Sequence, residues 1–202
     1  MAENIAKNDA ERNGNYLLQA VQKSRHEFDE KLCLNLIDAG ADVNVVTCAD
    51  ITPLMYAASN GYANIIPTLI EHGTKIDAQD DTGTTALGYA TKDQRPDVIL
   101  MLLERGANTE IKCKKGMTAL MLAVACGHTD IARILIENGA NTKAKDNGNN
   151  RVYDVAIKNN QPDIAEMIRQ HEVKKTFRAA AEKGTAQKRK ILRPTPARQT
   201  MP

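Results

Sequence analysis

The sequence predicts an all-α solenoid, in which short helices form pairs and the pairs stack in a row. Thr52, Thr85 and Thr118 are spaced 33 residues apart, and the segments that begin at them resemble one another. Within each segment, apolar residues recur at intervals of three and four, as in helices with one buried face. Hydrophobic residues make up 42% of the 202-residue chain and aromatic residues only 3%. This composition suits short helices that pack through Ala, Leu, Ile and Val.

Residues 52–77 show how each pair is built. Pro53 suits the first turn of a helix, where the amide groups lack partners, and Gly61 provides a left-handed residue that ends this helix. Pro67 falls inside the second helix and predicts a local kink there. The second helix has four apolar residues on one face: Ile65, Ile66, Leu69 and Ile70. Because neither helix can bury its apolar face alone, each pair must pack on the next.

The pattern divides the chain into a polar N-terminal segment at 1–12, a repeat domain at 13–171 and a basic tail at 172–202. Five repeats are expected in the domain, at 13–45, 46–78, 79–111, 112–144 and 145–171. The first has about four extra residues between its helices, and the fifth replaces Thr-x-Leu with Arg-Val-Tyr. Atypical end repeats are expected because the outer face of a terminal repeat meets water.

The 33-residue period, the Thr-x-Leu opening, the central Ala and the closing Gly resemble the ankyrin repeat. This resemblance implies a curved stack of helix pairs joined by projecting β-hairpin loops, which binds proteins and is not catalytic. The family's Asp-x-x-Gly-x-Thr loop is complete at 80–85 and half present at 114–118. In the second repeat, Asp50 replaces the glycine of this loop.

By the same resemblance, the partner-binding residues lie at the loop tips and at the exposed ends of the first helices. The candidates in the loops are Ile51, Asp81, Thr82, Thr84, Lys114, Lys115 and Met117. The candidates at the helix ends are Ser59, Asn60, Lys92, Asp93 and Cys126. For any single residue, the alternative is that it is a solvent-exposed loop residue with no role in binding. Apolar residues in outward positions, such as Ile51 and Met117, favour an interface, because exposed apolar groups in a row mark interaction sites.

The charge is distributed unevenly along the chain. The net charge of +2 combines a body at −5 with a tail at +7 over residues 172–202. A helix is expected to continue beyond His171 as far as Gly184, and the proline-containing segment after it is expected to be disordered. The basic run Lys188-Arg189-Lys190 is a candidate for nuclear import or anion binding, with solubilising charge as the alternative.

Other classes of function have little support. No phosphate loop, H-E-x-x-H or G-x-S-x-G motif is present, so we expect no enzyme, small-molecule substrate or cofactor. The four cysteines lack metal-ligand spacing and are expected to be free thiols, and no metal is expected. Scarce aromatic residues argue against nucleic-acid binding. No apolar stretch is long enough for a signal peptide or a membrane span.

The leading interpretation is therefore a cytoplasmic, monomeric adaptor or inhibitor that binds a protein partner of unknown identity. Two alternatives remain open at this point. The family also includes effectors of intracellular bacteria that act on their hosts. The basic tail could instead direct the protein to the nucleus or to an anionic surface.

Overall fold

The computed structural model describes residues 2–24 and 26–191, with side chains described except at 2–7, 179 and 182–191. This part of the chain forms five helix pairs in sequence, with a short 3₁₀ turn at Ala63–Ile65. The ten α-helices are α1 (Ala2–Val21), α2 (Glu30–Asp38), α3 (Pro53–Asn60), α4 (Ile66–Glu71), α5 (Ala86–Lys92), α6 (Pro96–Glu104), α7 (Ala119–Cys126), α8 (Thr129–Glu137), α9 (Val152–Lys158) and α10 (Pro162–Ile191). The first helices of successive pairs contact one another, as α3 contacts α5, α5 contacts α7 and α7 contacts α9. The predicted all-α solenoid is confirmed.

The repeated threonines start the first helices of the three central pairs. The hydroxyl groups of Thr52, Thr85 and Thr118 accept hydrogen bonds from the amides three residues later, at 3.2, 3.2 and 3.4 Å. These bonds satisfy amides that have no partner inside the helix. In the fifth pair Arg151 takes this position, and Asp154 instead accepts a 2.9 Å bond from the Arg151 amide. The fifth pair therefore keeps the hydrogen bond from the capping amide to a side chain inside the helix, and it lacks the bond to a threonine hydroxyl at the capping position.

One continuous core runs along the stack between the two rows of helices. Leu54 and Leu120 from the first helices and Leu69 and Leu135 from the second are fully buried. Burying a leucine side chain contributes about 1.5–3 kcal/mol, so these repeated positions supply a large part of the stability. The predicted burial of Leu120 and Leu135 is confirmed.

Pro67 does not kink its helix. The chain forms the 3₁₀ turn at Ala63–Ile65 first, and α4 begins only at Ile66, so Pro67 stands in the first turn of α4. A proline at this position removes no helical hydrogen bond. The late start of α4, rather than a bend within it, accommodates the proline.

The first helix is longer than the repeat period predicts. The predicted N-terminal segment 1–12 is not separate from the first repeat, because α1 begins at Ala2 and continues to Val21. The Asp42 amide donates a 3.1 Å hydrogen bond to the Ala10 carbonyl, which ties this added part to the first loop. A Cβ on Gly14 would lie 2.8 Å from the Asp42 carbonyl oxygen, so glycine permits the close approach.

The last helix is longer too, and it does not end at Gly184 as predicted. Helix α10 passes through Gly184 and ends at Ile191. A glycine inside a helix costs only about 1 kcal/mol relative to alanine, and the surrounding Ala, Lys, Gln and Arg residues are good helix formers. Residues 184–191 are therefore part of α10, and the rest of the tail that was predicted to be disordered, 192–202, lies outside the described residues.

Candidate protein-binding surface

Each loop between successive pairs is a tight turn closed by backbone hydrogen bonds. In the third repeat the Asp80 amide donates to the Thr84 carbonyl at 3.1 Å, and the Gly83 amide donates back to the Asp80 carbonyl at 2.9 Å. The same two bonds recur at Thr47 and Ile51, at Cys113 and Met117, and at Asp146 and Asn150. The loops are thus hairpin turns with no regular strand in the described part of the chain, apart from a bridge between Lys145 and Arg151.

A left-handed residue makes each turn possible. Gly83 and Gly116 have φ of 76° and 75°, and Asp50 and Asn149 hold the equivalent positions with φ of 58° and 63°. Asp and Asn tolerate this conformation better than other residues with a side chain. Asp50 therefore preserves the loop geometry of the second repeat although it replaces the glycine.

The loops are also joined to one another. The Asp81 amide donates to the Ala49 carbonyl at 3.0 Å, and the Lys114 amide donates to the Thr82 carbonyl at 2.8 Å. The Asn147 amide donates to the Lys115 carbonyl at 3.3 Å. Four loop tips are therefore held in one row, with fixed spacing between their backbones.

A polar network connects the third loop to helix α5. The buried Asp80 carboxylate accepts hydrogen bonds from the Thr84 amide at 2.7 Å, the Thr82 hydroxyl at 2.8 Å and the Tyr89 hydroxyl at 2.7 Å. The Lys92 ammonium lies 3.4 Å from the Thr84 hydroxyl oxygen and 5.4 Å from the centre of the Tyr89 ring. The network orients Tyr89 and Lys92 towards the loop row.

The network also fixes the charge states of its members. Burial alone would raise the pKa of Asp80, but the hydrogen bonds from Tyr89, Thr84 and Thr82 outweigh it and lower the pKa below its usual value. Burial and the bond to Asp80 raise the pKa of Tyr89. Asp80 therefore stays ionised and Tyr89 stays protonated near neutral pH, which is the arrangement in which the hydroxyl donates.

The fifth repeat carries a similar network, and the fourth does not. The Asp146 carboxylate accepts from the Asn150 amide at 2.8 Å, and the Lys158 ammonium donates to the Asn150 side chain at 2.5 Å. Hydrogen bonds from Asn150 lower the pKa of Asp146. Between them, the fourth repeat presents the half-buried apolar residues Met117, Leu122 and Ala125. Lys92 and Lys158 thus flank an apolar centre.

We call this region the front surface. Its members are the exposed loop-tip and helix-end residues and the apolar centre between them: Asp81, Thr82, Lys92, Asp93, Lys114, Lys115, Met117, Leu122, Ala125, Cys126 and Lys158.

The predicted site residues divide by exposure. Those that are exposed are Asp81, Thr82, Lys92, Asp93, Lys114, Lys115 and Cys126, whereas Ile51, Ser59, Asn60 and Met117 are half-buried. Thr84 was expected to face outward, and this is wrong. It is buried at 3% exposure because its amide and hydroxyl belong to the Asp80 network.

Several half-buried candidates have structural partners instead of free outward positions. The Asn60 side chain donates to the Val21 carbonyl at 3.2 Å, and the Ser59 hydroxyl donates to the Asp93 carboxylate at 2.6 Å. Both bonds join neighbouring repeats. Ile51 and Met117 pack against the core and are half-buried, which corrects the expectation that they face outward. The run Lys188-Arg189-Lys190 lies in the last turns of α10, and its side chains are outside the described ones.

The sequence prediction missed Tyr89 and Lys158. Tyr89 lies one period after Tyr56, and Lys158 lies two periods after Lys92. Polar or aromatic residues recurring at the repeat spacing were therefore the available signal, and the prediction used only the loop-tip and helix-end positions of the second to fourth repeats.

Comparison with known families agrees with the architecture. A model of ankyrin repeats in three copies matches residues 17–113, and a model of ankyrin repeats in many copies matches residues 102–156. A search of curated proteins finds no matching relative. Among the described residues, no helix combines the length and apolar character needed to cross a membrane.

Proposed function

The chain belongs to the ankyrin-repeat family, whose repeats generally mediate protein–protein interactions, and from this premise we propose a non-catalytic adaptor or inhibitor. In this proposal the front surface binds a protein partner. The same surface would serve either role, because an inhibitor differs from an adaptor only in what part of the partner it covers.

The row of joined loops is the observation that supports the proposal most strongly. Hydrogen bonds between loops hold Asp81, Thr82, Lys114 and Lys115 in one arrangement before any partner arrives. The Asp80 network does the same for Tyr89 and Lys92. Binding to ordered loops avoids the entropy cost of fixing their backbones, so such a surface gains affinity from the contacts it makes.

The mixed charge of the front surface favours a protein over a nucleic acid. Asp81 and Asp93 stand beside Lys92, Lys114 and Lys115, and the carboxylates would repel a phosphate backbone. The apolar centre at Met117 and Leu122 provides area that an apolar side chain of a partner would cover. A protein surface with both apolar and oppositely charged groups matches this combination.

The test uses the full-length chain to capture a partner from native extract, followed by affinity measurement with the purified pair. The variant replaces Lys114, Lys115 and Met117 with Ala. We expect affinity to fall at least about tenfold, since central interface residues commonly cost more than 1 kcal/mol each when truncated.

A matched control replaces Lys31, Lys75 and Met101 with Ala, which are also two exposed lysines and one half-buried methionine. The thermal melts of the two variants should agree closely. If the control variant loses affinity and the front variant keeps it, the partner binds elsewhere on the solenoid and the front-surface proposal is wrong.

A further inference from the structure

The first repeat leaves open a position that the later repeats bury. Leu32 of α2 is 42% exposed, whereas the residues at the same position of the 33-residue spacing are buried: Ile65, Val98, Ile131 and Ile164. Ile164 is buried although no helix pair follows its own among the described residues, so the cover at this position comes from the preceding repeat. No pair precedes α1 in the described part of the chain, and Leu32 therefore meets water.

Tyr16 of α1 is open in the same way. Leu17 aligns with Leu54 once the extra residues of the first repeat are allowed for, so Tyr16 aligns with Pro53. Tyr16 is exposed, whereas the later residues at its position are buried: Pro53, Ala86, Ala119 and Val152. We call the surface formed by Tyr16 and Leu32 the N-terminal end face.

The fifth repeat is open in the opposite direction. Tyr153 and Ile157 of α9 are exposed, while Leu120 and Val124, one period earlier, are fully buried. Leu17, which aligns with Leu120, is fully buried in the first repeat, where no described pair precedes it. The cover at this position therefore comes from the following repeat, which the fifth pair lacks among the described residues.

Helix α10 adds two exposed apolar side chains, Val173 and Phe177, to this open end. Glu172 and Thr176 line a hollow with Thr142, in the turn after α8, so this side of α10 faces the fourth repeat. Because successive residues of a helix are about 100° apart, Val173 and Phe177 point away from that turn. The C-terminal end face is the surface formed by the four exposed residues of the last pair: Tyr153, Ile157, Val173 and Phe177.

The added parts of α1 and α10 leave the stack on the same side. The Asp42 amide donates to the Ala10 carbonyl at 3.1 Å, and the Thr142 hydroxyl donates to the Glu172 carboxylate at 3.1 Å. Asp42 and Thr142 both lie in the turn that follows a second helix, α2 and α8 respectively. If one stack continues into another, the added part of α10 therefore lies beside the added part of α1 of the next copy.

The two ends of the chain carry opposite charge. Residues 1–45 include eight acidic and five basic residues, a net charge of −3, and residues 145–202 include thirteen basic and six acidic residues, a net charge of +7. Exposed carboxylates follow α1 and exposed ammonium groups adjoin Val173 in the chain: Glu27, Asp29, Lys174 and Lys175. Opposite charges favour contact between unlike ends and oppose contact between like ends.

We propose that copies of this chain join head to tail, with the C-terminal end face of one copy on the N-terminal end face of the next. The joint repeats the packing that buries the equivalent positions between consecutive repeats. Such an interface uses a different surface on each copy and does not close, so further copies add at the free ends as the concentration rises. The front surface is not part of the joint, and the proposal does not rest on it.

A second copy suits the open ends better than other occupants do. Residues 192–202 contain only two large apolar residues, Leu192 and Met201, which are too few to cover both end faces. An unrelated protein would account for one end and leave the other unexplained. A second copy accounts for both ends, for their opposite charges and for the two added helical parts on one side of the stack.

The experiment measures self-association of the full-length chain by analytical ultracentrifugation over a range of concentrations. The N-face variant carries Tyr16→Gln and Leu32→Gln, and the C-face variant carries Ile157→Gln and Phe177→Gln. Glutamine leaves the net charge unchanged and is a good helix former. We expect the average mass of the native protein to rise with concentration, and the association of each variant to be at least about tenfold weaker.

The matched control carries Val46→Gln and Leu100→Gln, which also replace two exposed apolar residues. The residues at these positions in other repeats are exposed too, so no missing neighbour opens them: Gln79 and Lys112 for Val46, and Arg133 and Glu166 for Leu100. Association of the control should change less than about twofold. Equal losses in the control and the face variants would contradict the proposal.

Mixing the two face variants separates a head-to-tail joint from other modes of association. The mixture contains one intact C-terminal end face and one intact N-terminal end face, on different copies. We therefore expect a complex of one copy of each variant, with affinity close to that of the native protein and no further growth. Recovery of binding in the mixture also shows that both variants fold.

Three results would overturn the proposal. The first is a native chain that stays monomeric at every concentration. The second is a face variant that associates with itself as strongly as the native chain, because that chain would be joined through two like faces. The third is a monomeric native chain whose thermal melt falls in the C-face variant, which would assign the cover of that face to residues of the same chain.

Discussion

The fourth and fifth repeats share one register and differ in what covers them. Leu120 and Val124 of α7 are fully buried, whereas their equivalents in α9, Tyr153 and Ile157, are 37% and 54% exposed. Helix α7 packs against α9, but no sixth helix pair follows α9 and α10 in the described residues. Burial at these positions is therefore supplied by the next repeat and not by the residue itself. In a solenoid the same apolar pattern stabilises an interior repeat and leaves a terminal one open.

The largest expected effect comes from truncating the interior position. Leu120→Ala should lower the free energy of unfolding by roughly 2–5 kcal/mol, because it removes buried methyl groups and leaves a cavity. Tyr153→Ala, at the equivalent position of the fifth repeat, should cost less, because more than a third of that residue already meets water. Urea melts of both variants give the two values.

The two losses of unfolding free energy together test whether the next repeat supplies the burial at these positions. Similar losses for Leu120→Ala and Tyr153→Ala would show that the outer face of the fifth repeat is covered in solution, by another copy or by residues beyond 191. An early separate unfolding phase in Leu120→Ala would show that the neighbouring repeats keep their structure when the fourth loosens.

The sequence predicted the interior repeats more fully than the ends, and particular residues show why. The threonines at 52, 85 and 118 act through local bonds three residues away, so their role is visible in the sequence. The lengths of α1 and α10 depend on contacts with distant residues, such as Asp42 with Ala10 and Thr142 with Glu172. The missing glycine at 172 was nevertheless a readable signal, since glycines occur at the four preceding positions of the 33-residue spacing: Gly40, Gly73, Gly106 and Gly139.

The candidate site was predicted less completely than the fold. Loop-tip exposure at Asp81, Lys114 and Lys115 followed from the hairpin pattern. Thr84 was misplaced because the repeat pattern does not show its hydrogen bonds within the third loop, and Asn60 because the pattern does not show its bond to a neighbouring repeat. Asn60 contacts a carbonyl 39 residues away, a partner that no local spacing indicates.

The second prediction compares the buried Asp80 with Asp146, its half-buried equivalent in the fifth repeat. Asp80→Asn should lower the free energy of unfolding at neutral pH by about 1–2 kcal/mol, because bonds to a charged acceptor become bonds to a neutral one. Asp146→Asn should cost less, since no tyrosine hydroxyl is bonded to Asp146 among the described residues. Urea melts near neutral pH measure both.

The pH dependence gives a separate check. The folded-state pKa of Asp80 lies below its unfolded value, so its stabilising contribution is present above about pH 4 and is lost as the pH falls through the folded pKa. Native protein should therefore lose more stability on acidification than Asp80→Asn does. If the free energy of unfolding of the two proteins fell equally with decreasing pH, the Asp80 network would not favour the ionised carboxyl.

The smallest expected effect concerns residue 172, where α10 continues although each earlier second helix is followed by a left-handed glycine at the equivalent position. Glu172→Gly restores the glycine of the series and creates a His-Gly pair like His72-Gly73, which follows α4. The helical content of residues 171–191 should fall, since glycine costs about 1 kcal/mol inside a helix and favours the left-handed turn.

Glu172→Ala is the matched control, because it also loses the bond to Thr142 but keeps a strong helix former. Far-ultraviolet circular dichroism should show a weaker helix signal for Gly than for Ala, with urea midpoints that differ little because the extension adds few core contacts. Equal signals from the two variants would mean that the helix continues past the fifth repeat for reasons other than the residue at 172. The difference between the fourth and fifth repeats would then lie in the residues from Val173 onward.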